Sequence, residues 1–432
     1  MGTFIETSRS GYRLRYIHIA TLVAVIAHLP TGCSTAPASL TRSPAGPSTL
    51  KHIDQSALKA MVDTAAHELL IPGAVVLLRT PQGEFTVTYG TTLHGATSPT
   101  SADTHFRIAS NTKTMTAAVI LQLAQENKLR VEDPVSKYVS GVPKGDKITI
   151  AELLEMRSGL YNYTNAPEIS ASLDHDPTKT WSPAQLLAIA FARPSSFPPG
   201  TAYEYNNTNY ELLGLIAEKV GKKPLAQAMQ DRLFGPLQMQ HTQLPTAAVY
   251  TIPDPYSHGY LYGSSSVALV GKPPYSPDVQ TAARAGTLSP KDYTNVNHSF
   301  AKATGGVIST ANDLAIWIKA LATGRVLNTA YQRQWLDSLK PVDPSKPKGQ
   351  QYGYGISNLS WGPNTIYFHG GETPGYNSFM GYDPNSQVTL VVWTNLTVSL
   401  DGKATANAIM LKVLDQIYVA SPLAPSPSSS GA

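Results

Sequence analysis

Arg107-Ile108-Ala109-Ser110-Asn111-Thr112-Lys113 runs directly into Thr114-Met115-Thr116-Ala117-Ala118-Val119-Ile120-Leu121. The stretch reads as a strand end or loop that breaks into a helix, with Ser110 at the helix start, where hydroxyl side chains are favoured. Lys113 follows three residues later, so both side chains share one face of the first turn. A serine hydroxyl is a poor nucleophile until a neighbouring base takes its proton. A buried lysine with a lowered pKa can do so, and the helix N-terminus favours the charge left behind. From Ala117 to Leu121 the helix is apolar on most sides, which implies burial. A plainer reading is an N-cap serine followed by an exposed lysine. Four-residue patterns recur by chance, so the choice rests on the rest of the chain.

Upstream, a helix is expected over 56–69, then strands over 73–79 and 83–89 joined by a Pro81-Gln82-Gly83 turn. Downstream, helices are expected at 151–157, from Ser182 onward, at 211–220, at 225–233 and from 312. Residues 246–300 read as loop. Strands return at 352–358, 365–368, 377–382 and 388–394, and a last helix covers about 403–418. Strands at both ends and helices between them are not the alternation of a parallel sheet. The expected fold class is α+β: one antiparallel sheet from both chain ends, flanked by helices, with a helical lobe over about 110–350.

The chain has 432 residues, 42% of them hydrophobic and only 14% charged, which is ample material for a large core. Its net charge is +4, and no basic run with interleaved aromatics occurs, so no nucleic-acid partner is expected. Residues 1–33 read as an export signal. Arg9, Arg13 and Arg15 precede an apolar run from Tyr16 to Leu29, too short to span a membrane comfortably. The segment ends Leu29-Pro30-Thr31-Gly32-Cys33, which resembles a bacterial lipobox, with Pro30 where leucine is usual. Cys33 is the only cysteine, so no intramolecular disulfide can form, and its place favours lipidation. A lipidated Cys33 would tether an exported protein to a membrane face; a cleaved signal with a secreted product and an uncleaved N-terminal anchor are the alternatives. Residues 34–50 and 421–432, rich in Ser, Thr, Ala and Pro, read as linker and disordered tail around a folded part at 51–420.

Two later stretches carry chemistry. Tyr203-Glu204-Tyr205-Asn206-Asn207 lies between Pro198-Pro199-Gly200 and an apolar helix, a good place for reactive side chains. Tyr205 can serve as general acid or base if a neighbouring cation lowers its pKa, and Asn207 can hydrogen-bond Lys113 and a substrate amide. In Phe368-His369-Gly370-Gly371-Glu372, His369 reads as a cation or proton relay at a sheet edge. Gly370 and Gly371 let a ligand approach the backbone. The amides of Ser110 and Glu372 are placed to form an oxyanion hole. Read singly, each stretch is equally an ordinary turn.

Taken together, Ser110-x-x-Lys113, Tyr205-x-Asn207 and His369-x-Gly371 resemble the serine penicillin-recognising hydrolases, in the branch of class C β-lactamases and Tyr-x-Asn D-alanyl-D-alanine carboxypeptidases. The resemblance covers about residues 60–420 and implies a β-lactamase/transpeptidase-like fold. It also implies that Ser110 attacks a carbonyl, Lys113 and Tyr205 shuttle the proton, and an acyl-enzyme forms without metal or cofactor. The implied substrate is a small molecule or a peptidoglycan-type peptide. The chain departs from the family in one informative way. Relatives place Thr or Ser after the His or Lys to contact a free carboxylate, and the carboxypeptidase adds an arginine after its Tyr-Gly-Tyr-Gly stretch. Here those positions hold Gly370 and, after Tyr352-Gly353-Tyr354-Gly355, no arginine. Acyl transfer on an ester or amide is therefore expected, with weakened recognition of a terminal carboxylate. The competing reading is a slow cell-envelope protein that uses the same groove to bind a ligand. No Gly-x-Ser-x-Gly elbow and no His-Glu-x-x-His metal helix occurs.

Overall fold

The Ala74-Val75-Val76-Leu77-Leu78 run lacks the polar alternation of a half-exposed strand, as strands covered on both faces do. In the computed structural model, which describes residues 50–247, 249, 251–271 and 273–419, this run is the core of β1 (Gly73–Thr80). The signal segment, Cys33, most of the linker and the tail lie outside the described residues. Leu50, the last residue of the expected linker, bridges Tyr418.

β1 turns through Pro81-Gln82 into β2 (Gly83–Gly90), with Thr80 opposite Gly83. The remaining strands of the main sheet are β3 (Lys340–Pro341), β4 (Gln351–Tyr352), β5 (Ser357–Trp361), β6 (Asn364–Thr373), β7 (Tyr376–Asp383) and β8 (Val388–Thr394). Their spatial order is β2-β1-β8-β7-β6-β5-β4-β3, antiparallel throughout. β1 thus pairs with the last strand of the chain, Ala74 opposite Thr394.

Six helices matter to the site: α1 (Gln55–Glu68), α2 (Thr112–Gln125), α3 (Asn207–Gly221), α4 (Lys302–Gly305), α5 (Ala311–Ala322) and α6 (Thr405–Ile417). Ala74, Val76 and Leu78, with Phe379, Leu390 and Val392, face α1 and α6 through Leu58, Val62, Ile409 and Val413. Val75 and Leu77, with Met380, Val391 and Trp393, face the helical lobe. The period-two alternation therefore fills two cores, one per face. α2 is buried at every position from Thr112 to Ala124, as a helix apolar nearly all round must be.

The expected fold class holds: a mixed helix and antiparallel-sheet β-lactamase/transpeptidase-like fold. Three local expectations are corrected. The expected 352–358 strand is two, β4 and β5, broken around Gly355 at φ 73°. A Cβ there would lie 2.6 Å from Ala117 Cβ and 3.1 Å from the Lys113 carbonyl, so the break admits α2. α3 starts at Asn207 rather than 211, because Asn206 caps it by accepting from the Thr208 amide at 2.8 Å. Within 246–300, Tyr260–Leu261 pairs with Lys291–Asp292, and short helices occupy Ser266–Leu269 and Pro277–Arg284.

Trp393 joins the sheet to the Ser110 segment, stacking on Phe106 at 4.9 Å between ring centroids. We predict that Trp393→Ala destabilises the fold by about 3 to 5 kcal/mol through the cavity it leaves. Urea unfolding followed by circular dichroism checks this, and a loss under about 1 kcal/mol would contradict the packing account.

Candidate active site

Ser110 does not cap a helix. It is the middle residue of a single 3₁₀ turn, Ala109–Asn111, set just before α2. Ala109 has φ 48°, a left-handed conformation that costs a non-glycine residue about 1 to 2 kcal/mol. The surroundings hold it there. The Ile108 amide donates to the Val307 carbonyl at 3.1 Å. Asn111 Nδ2 donates to the Ile108 carbonyl at 2.9 Å and to Ser378 Oγ of β7 at 2.8 Å. The turn is thereby tied to the sheet, and the Ser110 side chain is left half-exposed and free for other work.

Lys113 is fully buried. Its Nζ lies 3.0 Å from Ser110 Oγ and donates to the Thr304 carbonyl of α4 at 2.9 Å. It also sits 4.8 Å from the centre of the Tyr205 ring and 5.8 Å from that of Tyr210. Burial holds the amine well below the ordinary lysine pKa, because no counter-charge offsets the lost hydration. A neutral amine 3 Å from a hydroxyl can accept its proton.

Tyr205 differs from the sequence expectation. Burial raises its pKa well above that of a free tyrosine, with the Ser110 hydroxyl the one influence that favours the phenolate. The neighbouring Lys113 amine does not lower it, because burial disfavours the charged form of that amine too. Among the described residues the phenol oxygen meets no partner at full hydrogen-bond geometry, the Ser110 hydroxyl being the group beside it. It is a buried O–H beside the serine, ready to give a proton rather than take one.

His369 is corrected in the same sense. It lies on β6, on the stretch past Phe368 where β5 has ended, so His369–Thr373 pair with β7 alone and pack against the Ser110 turn. The ring is buried, and desolvation with the nearby Lys113 pulls its pKa down to about 3. It is neutral, not a cation. Nδ1 donates to the Gly370 carbonyl at 2.6 Å, which leaves Nε2 to accept from the Tyr352 hydroxyl at 3.2 Å. His369 is thus a ring that orders Tyr352 and lies 6.3 Å from the Tyr205 ring.

Gly371 is dictated by space. A Cβ there would lie 2.1 Å from the Ile108 carbonyl and 2.7 Å from Asn111 Nδ2, so only glycine lets β6 run against the turn. Gly370 has no such constraint: a Cβ would meet only the Ser378 carbonyl, at 3.7 Å. Glu372 is half-buried on the same side of β6 as Gly370, and Asn377 Nδ2 donates to its Oε2 at 3.4 Å.

Asn207 does not reach Lys113. Its Nδ2 donates to Thr164 Oγ1 at 2.9 Å, and its amide to Asn162 Oδ1 at 3.1 Å. It anchors the start of α3 to the 160–165 segment. Sequence reasoning missed Thr304, Asn111 and Ser378. The first acts through a backbone carbonyl, which no residue type announces. Lys113, Tyr205, His369 and Gly371 do gather around Ser110 as expected, and Cys33 lies outside the described residues.

A family model named Beta-lactamase matches residues 58–415. Protein flp of Staphylococcus aureus (strain MW2) is 28% identical over 316 residues, covering 68% of this chain and 54% of its own length. The chain thus spans about half the length of these curated relatives. Among solved structures, a D-stereospecific amidohydrolase from Streptomyces sp. is 28% identical with a TM-score of 0.70, covering 83% of this chain and 98% of its own. A D-amino acid amidase from Ochrobactrum anthropi SV3 superimposes with a TM-score of 0.70 at 23% identity, over 84% and 97% of the two chains. The penicillin binding protein from Bacillus halodurans gives 0.66 at 22% identity, over 82% and 98%. With a family match across most of its folded part, this chain belongs to the Beta-lactamase family.

Proposed function

We propose that the protein is a serine hydrolase that forms an acyl-enzyme on Ser110 from an ester or amide. The observation that carries this is the fully buried Lys113 amine 3.0 Å from Ser110 Oγ, its pKa held well below the ordinary lysine value by burial. Lys113 takes the hydroxyl proton as Ser110 Oγ bonds to the carbonyl carbon. The amides of Ser110 and Glu372 receive the carbonyl oxygen as it gains charge. Tyr205 gives its proton to the leaving group and regains one from Lys113, so the two together end the step with the proton count they began with. Water then attacks the acyl-serine by the reverse route.

Charge narrows the substrate. Burial disfavours the charged form of Lys113, Tyr205 and His369 alike, and Gly370 offers no hydroxyl. A substrate carboxylate would meet among these three residues no group whose cationic form the site favours, which disfavours its burial. Esters and amides without a terminal carboxylate fit better, and a D-stereospecific hydrolysis of an amide matches the name of the Streptomyces neighbour. D-alanyl peptides are the second substrate class. The lipobox-like Leu29-Pro30-Thr31-Gly32-Cys33 supports export and a membrane tether.

We predict that p-nitrophenyl acetate acylates the protein and that Ser110→Ala abolishes the mass adduct; an adduct retained in the variant would remove Ser110 from the mechanism. Because the base must be neutral to act, kcat/KM for the ester rises with pH through the Lys113 pKa and levels off well below 10.5. A rise that continues to pH 10.5 would mean an ordinary, hydrated lysine. The Cβ that Gly370→Thr adds meets nothing nearer than the Ser378 carbonyl, at 3.7 Å. The substitution should raise kcat/KM on a D-alanyl-D-alanine peptide by about tenfold, one charge-assisted hydrogen bond, and leave the ester rate within about twofold. Equal change on both substrates would break the carboxylate argument. For the tether, Cys33→Ser should move the protein from membrane to soluble fractions, and unchanged partition would refute lipidation.

A further inference from the structure

Glu211 is an ionisable side chain in a place where packing alone calls for an apolar one. It lies on α3 one turn after Asn207, among Leu212, Leu213 and Gly214, and is 2% exposed. Its Oε2 has no hydrogen-bond partner. Lys302, the nearest cation, bonds Glu218 Oε1 at 2.8 Å instead. A buried carboxyl without an ion pair is costly, and a leucine would fill the volume without that cost.

What it faces is α4. This helix has only four residues, and its backbone supports the Ser110 base. The Ala303 carbonyl accepts from Thr116 Oγ1 at 2.7 Å, and the next carbonyl, Thr304, accepts from Lys113 Nζ at 2.9 Å. Both bonds lead to α2. On the opposite side α4 presses on α3 so closely that a Cβ at Gly214 would lie 2.5 Å from Ala303 Cβ. This contact brings the Ala303 backbone amide near the Glu211 carboxyl, where it favours the ionised form.

We propose that Glu211 is a positioning residue for Lys113: its carboxylate holds the Ala303 amide, and with it the Thr304 carbonyl that aims the lysine amine at Ser110. The proposal rests on the acyl-enzyme reading above and goes beyond it. An ionised carboxylate holds an amide about twice as strongly as a neutral acid does, so the hold depends on pH. The groups facing the carboxyl are Lys302 of α4, Glu218 further along α3, and Tyr163, whose ring lies between α3 and residue 300; Lys113 belongs to the adjoining α2. Burial raises the Glu211 pKa to about 7, Lys302 and the Ala303 amide oppose the rise, and Glu218 adds to it. The positioned state is therefore gained as pH rises through 7.

The test is a kcat and KM profile of the full-length protein on p-nitrophenyl acetate from pH 5 to 10, with melting temperatures alongside. Glu211→Gln keeps the shape and removes the charge. It should lower kcat about tenfold at pH 8, leave KM within about twofold, and erase the inflection near pH 7. Its melting temperature should rise relative to wild type at pH 8 and not at pH 5, because the wild-type carboxyl binds a proton more tightly folded than unfolded and loses stability as pH rises. Lys302→Gln removes the cation that favours ionisation and should move the inflection to higher pH; the Lys113 amine, shifted by burial alone, would not follow. A Glu211→Gln profile that overlays wild type, or a loss confined to KM, overturns the proposal. Should Glu211→Gln fail to fold, Lys302→Gln decides by itself, and an unmoved inflection overturns the proposal. Absence of ester turnover in wild type at every pH would overturn the reading of Ser110 instead.

Discussion

The structure depends on a lysine that is kept out of water. Taking an ammonium out of water costs several kcal/mol even after the protein relaxes, and burial accordingly holds the Lys113 amine well below the ordinary lysine pKa. Full burial requires α2 to be enclosed on all sides, which in turn requires sheet on one side and α3, α4 and α5 around the rest. The same enclosure silences His369 and raises the Tyr205 pKa. One constraint, exclusion of water from the base of α2, thus shifts the amine, the phenol and the imidazole beside the serine all in the direction that disfavours their charged forms.

A second constraint acts at the seam between lobe and sheet. The Ser110 turn is held from three sides: by Val307 behind it, by Asn111 reaching to Ser378, and by β6 running past it without a side chain at Gly371. The strained Ala109 is affordable only because these contacts leave the backbone no alternative. Two glycines adjacent in sequence have different reasons. Gly371 is a steric necessity, whereas Gly370 stands where a larger residue would fit, so its smallness is a matter of what the groove admits.

Much of this was legible in the sequence where residue type encodes position. Short apolar runs set off by turn residues at both chain ends placed β1, β7 and β8. The apolar run after Lys113 placed a buried α2. The serine, lysine, tyrosine and histidine were found because their chemistry is carried by side chains. What was not legible is carried by backbone or by environment. The Thr304 carbonyl is an acceptor that any residue could supply. The charge on His369 follows from burial, which a five-residue motif does not state. Asn207 was assigned to Lys113 because an asparagine can bond almost any polar group, and only the fold shows that Thr164 is the nearer partner. Ser110 as an N-cap followed a sound preference, but tertiary contacts convert the start of α2 into a 3₁₀ turn.

The pairing of β1 with β8 has a consequence for how the molecule comes into being. Ala74 waits for Thr394, and Ile71 and Val76 share a core with Val413 and Ile417. Contacts so distant along the chain must close their loop before they are rewarded. A growing polypeptide that has already made Ser110, Lys113 and Tyr205 still lacks the central strands against which their turn is braced. The Ser110 site is therefore completed late, when the C-terminal strands β7 and β8 come in beside β1.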